Sequence, residues 1–345
     1  MARKLGNVRS PRLSVLLPVR DAEPTLHECL DSLAAQTLVD HEVVAIDDGS
    51  GDETLRILAE RQASDTRLRV LHTPPRGIAA ALNLALGAAR APLVARMDAD
   101  DVSHPERLLR QVERLETDPS VDILGCRVEY VAEAGAPPSG GMRDHARWLN
   151  GLLDHASMAR ERFVDSPIAH PSVAARREAL VSLGGYRDFA GPEDYELWLR
   201  AFDAGLRFAK LEDVLLRWRD RPSRATRTDP RYAPPRFLAV KHEALARGPL
   251  GRGRPVVLWG AGPVGKAWAR ALIGAGHRVL AFIEVDPRKI GNRVHGAPVL
   301  AVSEAGSLRG PLHLAAVGQK GARERVRAEA LRLGLVDGRD LLAVA

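Results

Sequence analysis

From Leu13 onward the chain alternates short apolar runs with longer amphipathic stretches, which predicts strands joined by crossover helices in a mostly parallel sheet. SVLLPV is a first buried strand. Pro24 then opens a helix whose Leu26, Cys29, Leu30 and Leu33 recur on one face. EVVAID predicts the second strand, DDGSGDET a sharp turn, and Asp52 a cap for a helix carrying Leu55, Ile57 and Leu58. LRVLH predicts the third strand, followed by a turn with Pro74, Pro75 and Gly77 and an Ala/Leu-rich helix through Asn83. PLVARM is the fourth, and it runs into Asp98, Asp100 and Asp101.

After Pro105 the pattern predicts a helix to about Thr117 and a strand, VDILGC. The text then turns irregular, and AGAPPSGGM reads as a loop. In GPEDYELWLRAFDAG, Leu197, Trp198 and Ala201 recur at helical intervals behind an acidic pair. A helix near residues 237–246 leads to GPLGRGRP, a linker by composition. Beyond it, VVLWGAGPVGKAWARALIGAGHRVLAFIEVD predicts a strand, glycine turn, helix and strand, and LHLAAVGQKGARERV a further strand and glycine turn. The expected organisation is a flexible basic N-terminus over residues 1–11, a first domain over 12–247, a linker at 248–253 and a small α/β domain over 254–345.

At 345 residues and 45% hydrophobic content, the chain is long enough for two cores. No window approaches the run of about 20 apolar residues that a spanning helix needs, and the basic start has no apolar stretch behind it. The expectation is a cytoplasmic protein. Cys29 and Cys126 each lie inside an apolar element, which suits reduced core thiols rather than a disulfide or zinc framework. The formal charge of +6 is concentrated between Arg217 and Arg236, where seven arginines face two aspartates. Pro222, Pro230, Pro234 and Pro235 interrupt that segment, so it is no continuous recognition helix, and no specific nucleic-acid partner is expected. A loop touching phosphates or anionic lipid head groups fits it, as does a solvated linker.

In an open parallel sheet, ligands bind beyond the carboxyl ends of the strands, where the polar residues following Pro18, Asp47 and Asp98 all fall. Taken singly, each cluster also reads as a turn or a helix cap. Their order is more specific. SVLLPVRDAEPTLHECLDSLAAQTLVDHEVVAIDDGSGDET, RGIAAALN, MDADD and PEDYELWLR together resemble an inverting family 2 glycosyltransferase with the GT-A fold, over about the first two thirds of the chain.

What the resemblance implies is transfer of a sugar from a nucleotide-diphosphate donor onto a hydroxyl, with inversion and a divalent cation, Mg²⁺ or Mn²⁺. By match to its motifs, Asp100 would be the metal ligand, Asp98 would reach ribose or metal, and Asp48 would read the nucleobase edge. Pro18, Arg20, Gly77 and Asn83 would line the donor site, with the Arg20 guanidinium standing where relatives stack an aromatic ring. The acceptor hydroxyl needs a base, and the resemblance gives that role to Asp194 with Glu193 in support. His170, Trp198 and Arg200 are candidate acceptor or phosphate contacts, against structural readings as an oriented histidine and a helix salt bridge. The Gln-x-x-Arg-Trp signature of processive relatives is missing, so one sugar per acceptor is expected, the acceptor being a glycan or a lipid-linked precursor at an anionic membrane face.

Gly260, Gly262 and Gly265 follow a strand and open a helix, and Glu284 ends the next strand, the context of a dinucleotide fingerprint. This stretch resembles the Rossmann-like module of some sugar-modifying enzymes. It carries either a bound nucleotide or, with its glycines serving strand–helix packing, a docking role. The alternatives to transfer are a degenerate nucleotide-sensing scaffold and, with less support, a sugar nucleotidyltransferase, which would need an early glycine- and lysine-rich loop that SVLLPVRDAEPTL lacks.

Overall fold

The structure is a computed structural model, and it describes residues 10–132, 140–221, 224–251 and 253–345. The chain divides into two compact units. The first takes in Met1–Met158, Pro167–Phe189 and Glu196–Thr228, and the second Ala159–Ser166, Ala190–Tyr195 and Asp229–Ala345.

The first unit is built on eight strands: β1 (Leu13–Val19), β2 (His41–Asp48), β3 (Leu68–Thr73), β4 (Leu93–Arg96), β5 (Val102–Ser103), β6 (Ile123–Ala132), β7 (Ala174–Arg176) and β8 (Phe208–Asp220). They form one sheet in the order β3-β2-β1-β4-β7-β6-β8-β5. The first four are mutually parallel, with Val15 opposite both Val43 and Ala95. β7 runs antiparallel to β4 and β6, while β6 and β8 are parallel.

Helices cover both faces of this sheet, which is why β1 and β2 are buried almost throughout rather than at alternate positions. Along β1, Leu13, Val15 and Leu17 point into one apolar cluster and Leu16 into the other. The helices Glu23–Ala34 and Arg107–Thr117 supply Leu26, Cys29, Leu30, Leu33, Leu108, Val112 and Leu115 to the first cluster. Ile78–Ala88 and Glu193–Asp203 supply Leu82, Ala85, Leu197, Trp198 and Ala201 to the second. Both cysteines are free and buried. Of the three leucine and isoleucine positions expected inward on the helix Thr54–Ser64, Ile57 and Leu58 are buried, while Leu55 faces solvent.

Two expectations change in the second half of this unit. The strand starting at VDILGC runs ten residues, because β8 pairs with it along its whole length. β8 itself draws Arg217 and Arg219 out of the expected loop into a strand, and short helices at Ala225–Thr228 and Pro230–Tyr232 divide the rest. Arg219 pairs with Glu28, Arg221 with Asp100, Arg227 with Asp220 and Arg231 with Asp229. Glu28 and Asp100, from outside the segment, thus match part of the basic excess, while the pairs to Asp220 and Asp229 lie within it. Of the AGAPPSGGM stretch, residues 134–139 lie outside the described residues, and 140–142 begin the helix Gly140–Gly151.

The second unit carries β9 (Val256–Trp259), β10 (Val279–Glu284), β11 (Arg293–Val294), β12 (Ala297–Ala301), β13 (Leu312–Ala315) and β14 (Leu341–Ala343), in the order β11-β12-β10-β9-β13-β14. Apart from the antiparallel β11, the strands are parallel. This is a five-stranded parallel core with the chain reversing direction across the sheet at β9 and β13, more than the single half-fold suggested by the glycine motif. Its own apolar cluster joins Val257, Trp259, Ile283, Ala315, Leu341 and Ala343 to Ala330 of the helix Ala322–Arg332. The compositional linker is anchored, since Leu250 is fully buried and its N–H donates to Leu245 O at 2.9 Å. Among the described residues, no helix is long and apolar enough to cross a membrane.

Candidate functional site

The tips of β2, β1 and β4 are neighbours pointing the same way, so the polar turns that follow them share one edge of the sheet. Two of those turns are tied together. Asp21, at φ 46°, donates its N–H to Ser50 Oγ at 3.1 Å and accepts from Gly51 N at 2.8 Å. Asp52 accepts from Thr54 N and Glu23 N, so the cap expected of it serves the starts of two helices. Asp48 has a different partner from the one expected. Its two oxygens accept from Arg76 N at 2.7 Å and Gly77 N at 2.9 Å, anchoring the β3 turn while Arg20 Nη1 stands 3.8 Å away. Pro18 is half-buried in β1, and Arg20 remains 52% exposed, so its guanidinium is the accessible group of this set.

Beyond β4, Asp98, Asp100 and Asp101 each present a carboxylate oxygen, all within 4.8 Å of one another. The preceding chain is held from behind by Thr25 Oγ1, which donates to Ala99 O, and by Cys29 Sγ, which contacts Asp98 O. Asp98 pairs with the buried Arg96. Asp100 pairs with Arg221 at 3.1 Å, and Asp101 accepts from Arg219 N at 2.8 Å. Burial, reinforced by the charge of Asp98, raises the pKa of Asp100 and, much further, that of Asp101. Asp101 Oδ2 is buried without a hydrogen-bond partner among the described residues. Three converging carboxylates, the buried Asp101 with its orphaned Oδ2 among them, fit a divalent cation such as Mg²⁺ or Mn²⁺. The sequence placed Asp101 in the acidic run and the arginines in a basic segment, but it gave the metal role to Asp100 and Asp98 alone and did not bring Arg219 or Arg221 to the cluster.

Four other residues expected at the site converge on a different point. Asn83 Nδ2 donates to Tyr186 O at 2.7 Å and its Oδ1 accepts from Tyr186 N at 2.8 Å. His170 Nε2 lies 2.8 Å from Tyr186 Oη, and burial lowers its basicity well below the usual value. Arg200 pairs with Glu196 and donates to Leu183 O and Gly185 O. Trp198 is fully buried edge-on to His170. Gly185 sits at φ +68°, and a Cβ there would lie 2.4 Å from Asn83 Oδ1. These residues build a clamp on the turn at 183–186: the Asn83 amide is engaged at both ends, and Trp198 has no surface to offer an acceptor. Neither the donor contact expected of Asn83 nor the acceptor contact expected of Trp198 fits this packing.

Glu193 and Asp194 fall in the second unit, in the first turn of the helix Glu193–Asp203. Glu193 is buried and accepts from Tyr232 Oη at 2.7 Å. That carboxylate, together with burial, pushes the Tyr232 phenol far above its ordinary value. Asp194 is partly exposed, and its Oδ1 accepts from Tyr195 N at 2.7 Å. Tyr195 is pinned in turn by its hydroxyl donating to Arg162 O. Tyr232 carried no sequence signal, because it lies 39 positions from its partner.

At the glycine motif, Gly260 adopts φ +100° and abuts Ala316 and Val317, so the loops after β9 and β13 stand side by side. A Cβ on Gly265 would lie 1.9 Å from Gly260 O, which is the close strand–helix packing expected of that glycine. Gly262 has open space around it. Glu284 does not present its carboxylate outward. It accepts from Ala261 N at 3.1 Å and Val285 N at 3.0 Å, and pairs with Lys289 at 3.0 Å, all of which lower its pKa against the effect of burial.

A model described as glycosyl transferase family 2 matches residues 14–184, which contain the acidic cluster but not Glu193 and Asp194. The amylovoran biosynthesis glycosyltransferase AmsE of Erwinia amylovora is 32% identical over 209 residues, 60% of this chain and 75% of that protein. Among solved structures, S. aureus TarS 1–349 in complex with UDP-GlcNAc superposes with a TM-score of 0.53 at 21% identity, over 68% of this chain and 66% of that one. The mannosyltransferase PcManGT of Pyrobaculum calidifontis, in complex with GDP-Man and Mn²⁺, gives a TM-score of 0.51 at 22% identity, over 77% of this chain and 80% of that one. These likenesses give the first unit the GT-A fold.

Proposed function

Because the chain belongs to glycosyl transferase family 2, we propose that it transfers one sugar from a nucleotide-diphosphate donor to a hydroxyl, with inversion and with Asp194 as general base. The observation that carries this reading is the carboxylate trio at the edge of the parallel strands, with the buried, unpartnered Asp101 Oδ2 among its oxygens. AmsE acts in the biosynthesis of a polysaccharide, and TarS and PcManGT bind nucleotide sugars, which supports the donor class and a glycan or lipid-linked acceptor.

The roles divide by chemistry. Asp100, Asp98 and Asp101 would hold the divalent cation, which when bound offsets the charge that builds on a departing diphosphate. Arg20, exposed at the tip of β1, offers a planar cation for stacking on the base. Asp48, by fixing the amides of Arg76 and Gly77, shapes the wall of the donor site rather than reading the base directly. At Asp194, the hydrogen bond from Tyr195 N fixes one carboxylate oxygen. An acceptor hydroxyl has a pKa far above neutrality, so its proton must pass to this carboxylate as the new bond forms. Glu193, held by Tyr232, orients the first turn that carries it.

Asp194→Asn tests the assignment. Turnover of nucleotide sugar should fall by about 10²- to 10⁴-fold with donor affinity unchanged. Unaltered turnover would remove Asp194 from the chemistry, whereas nucleotide binding without turnover in the wild type would favour the nucleotide-sensing alternative.

A further inference from the structure

The arginines around the acidic cluster have no place in that scheme, and they differ in what they bring. Arg96 is buried and pairs with Asp98. Arg219 contributes its backbone N–H to Asp101, while its guanidinium goes to Glu28. Arg224 stacks on Trp218 at 4.3 Å and acts on Asp100 and Asp101 only through its field. Arg221 places its guanidinium on the cluster itself, with Nη2 3.1 Å from Asp100 Oδ2 and both side chains about four-fifths buried. The anchoring is incomplete, because Arg221 Nε is buried with no hydrogen-bond partner among the described residues.

The guanidinium occupies a lone-pair site of Asp100 Oδ2 and offsets the charge of that carboxylate, so it weakens the hold of Asp100 on a cation. The like charges of guanidinium and cation also repel across the few ångströms of the cluster. We propose that Arg221 and the divalent cation compete for Asp100, so that Arg221 sets how tightly the cluster takes bare metal. A diphosphate arriving with the metal gives the displaced guanidinium a new anionic partner, to which its planar donors are well matched. Metal and nucleotide then bind with positive coupling, and the cluster takes metal together with the donor in preference to metal alone. The inference rests on reading the cluster as a metal site.

The test is titration of the full chain with Mn²⁺ alone and with Mn²⁺ plus UDP or GDP, following free Mn²⁺ by electron paramagnetic resonance. Arg221→Gln should bind Mn²⁺ alone about three- to tenfold more tightly than wild type, the range expected for losing a partly buried ion pair, and the nucleotide's enhancement should shrink. Arg224→Gln, which removes a nearby charge without freeing Asp100, should change the affinity by less than about twofold. Equal or weaker Mn²⁺ binding in Arg221→Gln, or equal tightening in Arg224→Gln, overturns the competition. Asp100→Asn separates this from the parent reading: Mn²⁺ binding that survives in that variant, or is absent from wild type even with nucleotide, overturns the metal site itself. Thermal unfolding of each variant confirms that the fold is intact.

Discussion

Lys210 shows what burial does to a single ionisable group outside the acidic cluster. It is 6% exposed, donates to the carbonyls of Leu149 and Pro167, and burial lowers its pKa to about 7. An unfolded lysine holds its proton up to about pH 10.4. Between those two values the unfolded chain binds a proton that the folded one does not, so stability rises with pH across the window and the gain is lost as pH falls toward 7. Urea midpoints at pH 7.5 and 9.5 should show that rise, and Lys210→Met should flatten it. An undiminished rise in the variant would place the titration elsewhere, Lys241 with its pKa lowered to about 8 being the other buried lysine that shifts the same way.

Among the elements, the turn at 183–186 separates anchoring from binding. Asn83 reaches it from the helix Ile78–Ala88, His170 from the short helical turn His170–Ser172, and Arg200 from the helix Glu193–Asp203. If the Asn83 amide serves the Tyr186 backbone, Asn83→Ala should cost about 1–3 kcal/mol of stability through the groups left unpaired. The Michaelis constant for the nucleotide sugar should barely move. A large rise in that constant with stability intact would return Asn83 to the donor site. Residue type marked these side chains as candidates, because Asn, His, Arg and Trp serve ligands and scaffolds alike. Which of the two they serve depends on partners 15 to 103 positions away.

At the scale of the whole molecule, the two apolar clusters of the first unit share no buried residue with the cluster of the second among the described residues. Calorimetry should therefore resolve two unfolding transitions. Gly265→Ala, whose Cβ would lie 1.9 Å from Gly260 O, should lower one of them by the equivalent of about 1–3 kcal/mol and leave the other in place. A single transition shifted as a whole would mean that the units unfold together. The sequence by itself determined the first four strands and the helices among them, most of the buried positions of those helices and the acidic cluster behind the fourth strand, because apolar periodicity and turn chemistry are local properties of the chain; it did not show the short strand β5. It left hidden the long β6–β8 pairing, the reach of Arg219 to Glu28 and of Arg221 to Asp100, the clamp on Tyr186 and the Tyr232 hydroxyl on Glu193. Those were decided only in the tertiary structure, since a hydrogen bond or an ion pair depends on distance in space, and residues far apart in the chain acquire that distance only when the sheet is assembled.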